Sequence, residues 1–256
     1  MKIVLSLASL ALLSSPAWCG DTVITTAKHS DAVNMPGQSR PAEDKTEVMW
    51  IGKDHMRVED GTDVTIVRMD LKKMYMLDTA AKTVTTVDLP FDMKKYLPAE
   101  MAPMLEQMFP KTPATLTPST ETQKIKDWNA TKYTLTKPMP RGGQMTQVMW
   151  VTKDVAIDRT GWQDMFAAQM ASNPFAGGMA DEMKKLDGIT VLTERTVSMM
   201  GNEMKSKDSV ASIETKDAPP GHYEVPAGYT EKPFDLDEMM GAPGGHARGA
   251  GGRGPR

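Results

Sequence analysis

The chain has 256 residues with 30 Lys and Arg against 33 Asp and Glu, 23 methionines, five each of Phe, Tyr and Trp, and one cysteine. Setting aside Lys2 at the start and Arg248, Arg253 and Arg256 at the end leaves 30 − 4 = 26 bases against 33 acids, a net charge of about −7 on the body, which excludes nucleic acid as a natural partner. With Cys19 as the sole cysteine, no internal disulfide can form, so stability must come from a core.

The N-terminus reads as a secretory signal over residues 1–19. Lys2 precedes an apolar run from Ile3 to Leu13, then Ser14-Ser-Pro-Ala-Trp-Cys-Gly20 supplies small residues for cleavage after Ala17 or Cys19. The run is too short to span a bilayer. Trp18, just before Cys19, argues against a lipid-anchored first residue, so the expected location is the periplasm or the exterior. One domain is expected over residues 20–236, and the glycine- and arginine-rich residues 237–256 read as a disordered tail. That tail could contact an anionic envelope surface or envelope proteins.

Residues with period 2 dominate the body. Thr22 to Lys28 predicts a first strand, followed by a Pro-containing loop from Asp31 to Lys45. Strands are then expected at Glu47 to Gly52, His55 to Glu59, Val64 to Met69, Lys73 to Leu77 and Thr83 to Leu89. Turn signals separate them at Asp60-Gly61-Thr62-Asp63, Asp70 to Lys73 and Asp78 to Lys82.

The period changes between Pro98 and Phe109, where Met101, Met104, Leu105 and Met108 fall on one face of a helix. Strands resume at Thr120 to Trp128, Thr131 to Lys137 and Met145 to Thr152. Thr160-Gly-Trp-Gln163 has capping-box spacing, and Trp162, Met165, Phe166 and Met170 share the helical face that follows. A short helix is expected from Met179 to Leu186, closed by Asp187-Gly188. Two long strands, Thr190 to Met200 and Glu203 to Thr215, meet at a Gly201-Asn202 turn.

Thr46-Glu-Val-Met-Trp-Ile-Gly-Lys-Asp54 returns as Thr146-Gln-Val-Met-Trp-Val-Thr-Lys-Asp154, which predicts comparable places for the two copies in one sheet. The fold class is therefore mainly β (α+β). A curved antiparallel sheet or open half-barrel is expected, with two or three short helices as lid or plug over one face and the other face wet.

Chemistry-bearing motifs are scarce. Four histidines, His29, His55, His222 and His246, form no metal array, and neither a Gly-x-Ser-x-Gly elbow nor a phosphate loop occurs, so no enzyme activity and no cofactor is expected. Methionine suits an adaptable apolar cavity, a packed core in place of leucine, or Cu(I) ligation. For copper, Met101, Met104 and Met108 form one sulfur group and Met199, Met200 and Met204 another, although strand alternation should split the second group across two faces.

The order of several motifs carries a resemblance. Met56-Arg57-Val58-Glu59, Met74-Tyr-Met-Leu-Asp-Thr79, Lys82-Thr-Val84, Trp128-Asn-Ala-Thr-Lys-Tyr133, Val148-Met-Trp-Val-Thr-Lys-Asp154 and Tyr223-Glu-Val-Pro-Ala-Gly-Tyr229 together resemble an uncharacterised family of exported bacterial proteins. Members of that family are similar in fold to the lipoprotein carriers LolA and LolB. Trp128-Asn129 departs from the pattern, where a glycine is usual. The resemblance implies a half-barrel closed by helices that binds an apolar small molecule or acyl chain. Its expected lining is Met101, Met104, Leu105, Trp162, Met165, Phe166 and Met170, with Arg57 as a latch from sheet to lid helices through backbone carbonyls. The bland alternative is a structural or interaction protein of the envelope with a filled core.

Overall fold

In a computed structural model of the chain, the described residues are 20–35, 38–98, 100, 103, 112–139, 142–155, 157, 159–171, 176–199 and 201–235. The expected signal, tail and helix from Pro98 to Phe109, and with the last Met101, Met104 and Leu105, lie outside them apart from Pro98, Glu100 and Pro103.

Alternation and tight turns build the first meander: β4 (Glu43–Ile51), β5 (His55–Asp60), β6 (Asp63–Arg68), β7 (Lys73–Asp78) and β8 (Thr83–Asp88). Asp60 pairs with Asp63 across Gly61-Thr62, and Gly61 takes φ 64°, the left-handed conformation such a hairpin requires. The four-residue turns before β7 and β8 end in Lys72 (φ 51°) and Lys82 (φ 54°). In the second of these, Asp78 Oδ1 accepts from the amides of Ala80 and Ala81, both at 2.9 Å.

The second meander has longer strands: β9 (Thr115–Ile125), β10 (Trp128–Met139), β11 (Gly143–Thr152), β12 (Ile189–Met199) and β13 (Asn202–Lys216). The two meanders share one twelve-stranded sheet because β1 (Asp21–Ser30) lies between β4 and β13, antiparallel to both. The sheet ends at β9 on one side and, on the other, at β14 (Thr230–Glu231), which pairs parallel to β8. It is a large, open, curved sheet.

Several expectations need correction. Part of the loop predicted from Asp31 to Lys45 is a small hairpin, β2 (Val33–Met35) with β3 (Gln38–Arg40), and β4 already starts at Glu43. In the sequence, Pro36-Gly37 is the turn signal that could have shown this. β9 begins at Thr115 despite Pro118, since among the described residues it pairs only with β10 and an edge strand tolerates a missing N–H. Met199 pairs with Asn202, which moves the predicted Gly201-Asn202 turn back by one residue.

The described residues contain two α-helices, α1 (Arg159–Ala171) and α2 (Ala180–Met183), the second far shorter than the predicted Met179 to Leu186. Met165 of α1 is completely buried in the main core cluster, which includes Met56, Met74, Val67 and Trp150. Met170 instead packs with Met183 against a second cluster built on Leu135, Met145 and Met149.

The expectation of a wet second face fails in the first meander. Ile66 and Val67 are neighbours in β6 and point to opposite faces, yet both are fully buried. A third cluster, Val64, Ile66, Leu77, Val84 and Tyr223, lies under the segment after β13, with Ala218, Val225 and Tyr229 against it. The segment then adds β14 to the β8 edge and places Phe234 in the main cluster beside Phe91 and Tyr96. It thus hooks round an edge that would otherwise offer unpaired backbone groups.

Candidate functional site

Two arginines on neighbouring strands hold this C-terminal segment by its backbone. Arg57 of β5 donates from Nη1 to the carbonyl of His222 at 3.1 Å and from Nε to Glu59 at 2.5 Å. Arg68 of β6 donates from Nη1 to the carbonyl of Tyr223 at 3.3 Å, while its other nitrogens grip Asp70 at 2.8 and 2.6 Å. Each guanidinium therefore satisfies a carboxylate and a carbonyl at once, in the fixed directions its planar fork sets. Arg57 does reach a backbone carbonyl, but the partner found for it is the C-terminal segment rather than a lid helix.

Tyr223 is the anchor. Its hydroxyl donates to Asp21 Oδ2 at 2.6 Å, joining the segment to the first residue of β1, and its ring lies 4.0 Å from that of His55. Burial, reinforced by Asp21, pushes the phenol far above its ordinary range and keeps it protonated. His222 stacks edge-on against Trp50 with ring centroids 4.5 Å apart, and its Nε2 is buried without a hydrogen-bond partner among the described residues. Burial first, then the charge of Arg57, lowers its pKa, while Glu59 and Asp21 pull weakly the other way.

A pH dependence follows. His222 has a folded pKa below its ordinary 6.5, so the unfolded chain binds the extra proton. Its contribution to stability is complete above about pH 6.5 and is lost as pH falls below that toward the folded value. The unfolding midpoint should drop between pH 7.5 and pH 5.5, and His222→Gln should flatten that slope. An unchanged slope in the variant would assign the effect elsewhere. Exposed His29 has the opposite sign, its pKa raised chiefly by the Asp44 hydrogen bond, and solvent screening keeps its share small.

Between this segment and the sheet end lies a cleft of about 940 Å³, bounded by Asp21, Ile51, His55, Arg68, Ile157 and His222 among others. A smaller one of about 250 Å³ lies between β6, β7 and Phe234. Neither is lined by Trp162, Met165, Phe166 or Met170. In α1, Trp162 and Phe166 stack with centroids 5.2 Å apart, and the indole N–H of Trp162 is buried without a partner among the described residues. Among the described residues no three His, Cys, Asp or Glu side chains gather to hold a metal. No helix there is long and apolar enough to cross a membrane.

Residues 38–229 match the family model described as Domain of unknown function (DUF4412). The chain belongs to this family. The DUF4412 span ends at Tyr229, so it takes in Arg57, Arg68, His222 and Tyr223 and stops just before β14 and Phe234. No curated protein matches. Among solved structures, PNGF-II in its C2 crystal form shares 12% identity at a TM-score of 0.42, over 87% of this chain and 33% of that one. The chain thus spans about a third of the length of PNGF-II. An outer membrane lipoprotein-sorting protein domain from Vibrio parahaemolyticus shares 8% identity at a TM-score of 0.32, over 82% of this chain and 91% of that one. LprF from Mycobacterium bovis shares 10% identity at a TM-score of 0.26, over 83% and 91%. Likenesses this slight bear on neither ligand nor activity.

The sequence reading missed Asp21, Arg68, His222 and Tyr223. No spacing announced them, because Tyr223, Val225 and Tyr229 lie in a run of turns, where the His222 amide donates to the Pro219 carbonyl and the Glu224 amide to the Gly221 carbonyl, both at 3.0 Å.

Proposed function

We propose that this DUF4412 protein is a non-enzymatic periplasmic protein that binds or carries an apolar molecule, such as a lipid or a lipoprotein acyl chain. The observation that carries the reading is the construction of α1. This thirteen-residue helix seats one fully buried side chain, Met165, on the core. Beside it Trp162 and Phe166 stack, only partly buried. A helix this short depends on tertiary contacts for its place, and in this reading it acts as a cover that can lift. The cluster that holds Met165 also contains Met56 and Met74, with Met49 and Met76 packed against it, flexible thioethers that re-pack around guests of different shape. The unpartnered Trp162 N–H offers one hydrogen bond to an ester or carboxyl oxygen at the ligand's polar end.

A second reading, an envelope interaction protein with a filled core, is favoured by the complete burial of Met56, Ile66, Val67, Met74 and Met165. Titration of the full chain with a fluorescent fatty acid, cis-parinaric acid, separates the two. The carrier reading expects saturable enhancement near one probe per chain with a shift in tryptophan emission. The filled-core reading expects no saturable binding by the folded chain, and that result would discard the carrier.

A further inference from the structure

We infer that the cleft between the C-terminal segment and the sheet end seats a zwitterionic head group, an ammonium beside a phosphate, whose acyl chain enters the core past Ile51 and Ile157. The inference rests on the carrier reading and adds the polar end of the ligand and its place. Four strand ends form one wall: Asp21 opens β1, Ile51 closes β4, His55 opens β5 and Arg68 closes β6. The other wall is the segment from Asp217 to Glu224. At about 940 Å³ the cleft has the size of a small-ligand site. It also reaches the apolar interior, since Ile51 belongs to the main core cluster and Ile157, which packs against that cluster, stands two residues before α1.

The walls are fixed in advance. The His55 ring lies where a β-carbon at Gly52 would collide with it, and the Tyr223 ring stands 4.0 Å from it on the other side. Several lining groups are already engaged: Asp21 Oδ2 by the Tyr223 hydroxyl, Arg68 by Asp70 and the Tyr223 carbonyl, and His55 Nδ1 by Asp54 at 3.0 Å. Others are not. Lys53 on the sheet side, and Asp217 and Glu224 on the segment, have no side-chain partner among the described residues and are exposed at the mouth. His222, deeper in the lining, has its buried Nε2 unpartnered there as well.

This set selects a ligand that carries both charges. A purely anionic head would meet the carboxylates of Asp217 and Glu224, and a purely cationic one would meet Lys53. An ammonium offers three N–H donors, enough for the carboxylates and for the imidazole. His222 suits the role of acceptor, because burial keeps it neutral near pH 7 and, with its proton on Nδ1, Nε2 takes an N–H. The phosphate of the same head then falls to Lys53.

The test uses the full chain and amphiphiles with one acyl chain in common, below their micelle concentrations: lysophosphatidylethanolamine, lysophosphatidylcholine and monoacylglycerol. Their displacement of the neutral probe N-phenyl-1-naphthylamine gives affinities, and nitrogen NMR of the histidine rings reads His222 Nε2, assigned through His222→Gln. The ethanolamine lipid should bind about tenfold more tightly than monoacylglycerol and shift Nε2. The choline lipid, whose nitrogen has no N–H, should bind more weakly and leave Nε2 in place. Asp217→Asn with Glu224→Gln should abolish the advantage of ethanolamine over choline, and Lys53→Gln should weaken both phospholipids while monoacylglycerol keeps its affinity. These positions are exposed, so the fold survives the changes. Lys207→Gln on β13, outside the cleft, should alter nothing. Equal displacement by all three lipids with Nε2 unmoved would overturn the seat and leave the carrier standing. A chain that ignores the neutral probe but whose Nε2 shifts with free O-phosphoethanolamine would overturn the carrier and keep the seat, for a soluble zwitterion. No response to any of them overturns both.

Discussion

Replacing Tyr223 with alanine should cost about 3–5 kcal/mol, the largest effect expected of any single change in the C-terminal segment. The side chain is 9% exposed and fills the cluster of Val64, Ile66, Leu77 and Val84, so truncation opens a cavity that the sheet cannot collapse to fill. It also removes the hydroxyl bonded to Asp21 and the ring contact with His55. Tyr223→Phe isolates the hydroxyl and should cost about 1.5–3 kcal/mol, the range for a hydrogen bond to a charged group. Arg57→Leu should fall near the lower figure, since it strands Glu59 and the His222 carbonyl while Arg68 still holds the next residue. Urea unfolding read through Trp50, which lies against His222, measures all three. Midpoints equal to the wild type would mean that the segment rests on the sheet without supporting it.

Met165→Ala should cost about 2–5 kcal/mol, and it should do so locally. Met165 is the fully buried contact of α1, and the helix has no acidic residue in its first turn and no basic residue in its last to offset its macrodipole. Loss of the thioether therefore removes the fully buried contact of the helix and leaves the partly buried Trp162, Ala168 and Met170. Met165→Leu keeps the volume and should cost less than about 1.5 kcal/mol. Hydrogen exchange should show faster exchange over residues 159–171 in the alanine variant, with the β1–β13 pairing protected as before. Unchanged exchange in the helix would show that other contacts hold it, and the idea of a lifting cover would lose its basis.

The hairpins were legible because their causes are local. Asp60-Gly61 and Asp78 act on the backbone within a few residues, and the strands they join start and stop within a residue or two of the predicted ends. What joins the hairpins was not legible. β1 lies beside β4 and also beside the distant β13, where Asp21 meets Lys216 and Ser30 meets Ser206, and alternation says nothing of which distant strand a segment will meet. The repeated Val-Met-Trp segments show the same limit. They occupy β4 and β11 of one sheet, with β1, β13 and β12 between them, but Trp50 packs under the C-terminal segment and Trp150 in the main core. Chemistry travelled better than topology in the case of Arg57. A guanidinium seeking a carbonyl was readable from its residue type, whereas the identity of that carbonyl depended on a segment arriving from 165 positions away. The covered second face was missed for a related reason. Tyr223, Val225 and Tyr229 have neither a strand partner nor a helical period to announce them.

The central claim, that the interior under α1 takes up an apolar molecule, is tested most directly by native mass spectrometry of the full chain purified from its native host without detergent. A population carrying an additional mass that fragments as a lipid or acyl chain is the predicted result, and it should diminish in Met165→Ala. A clean ligand-free mass under mild conditions would contradict it and leave the filled core.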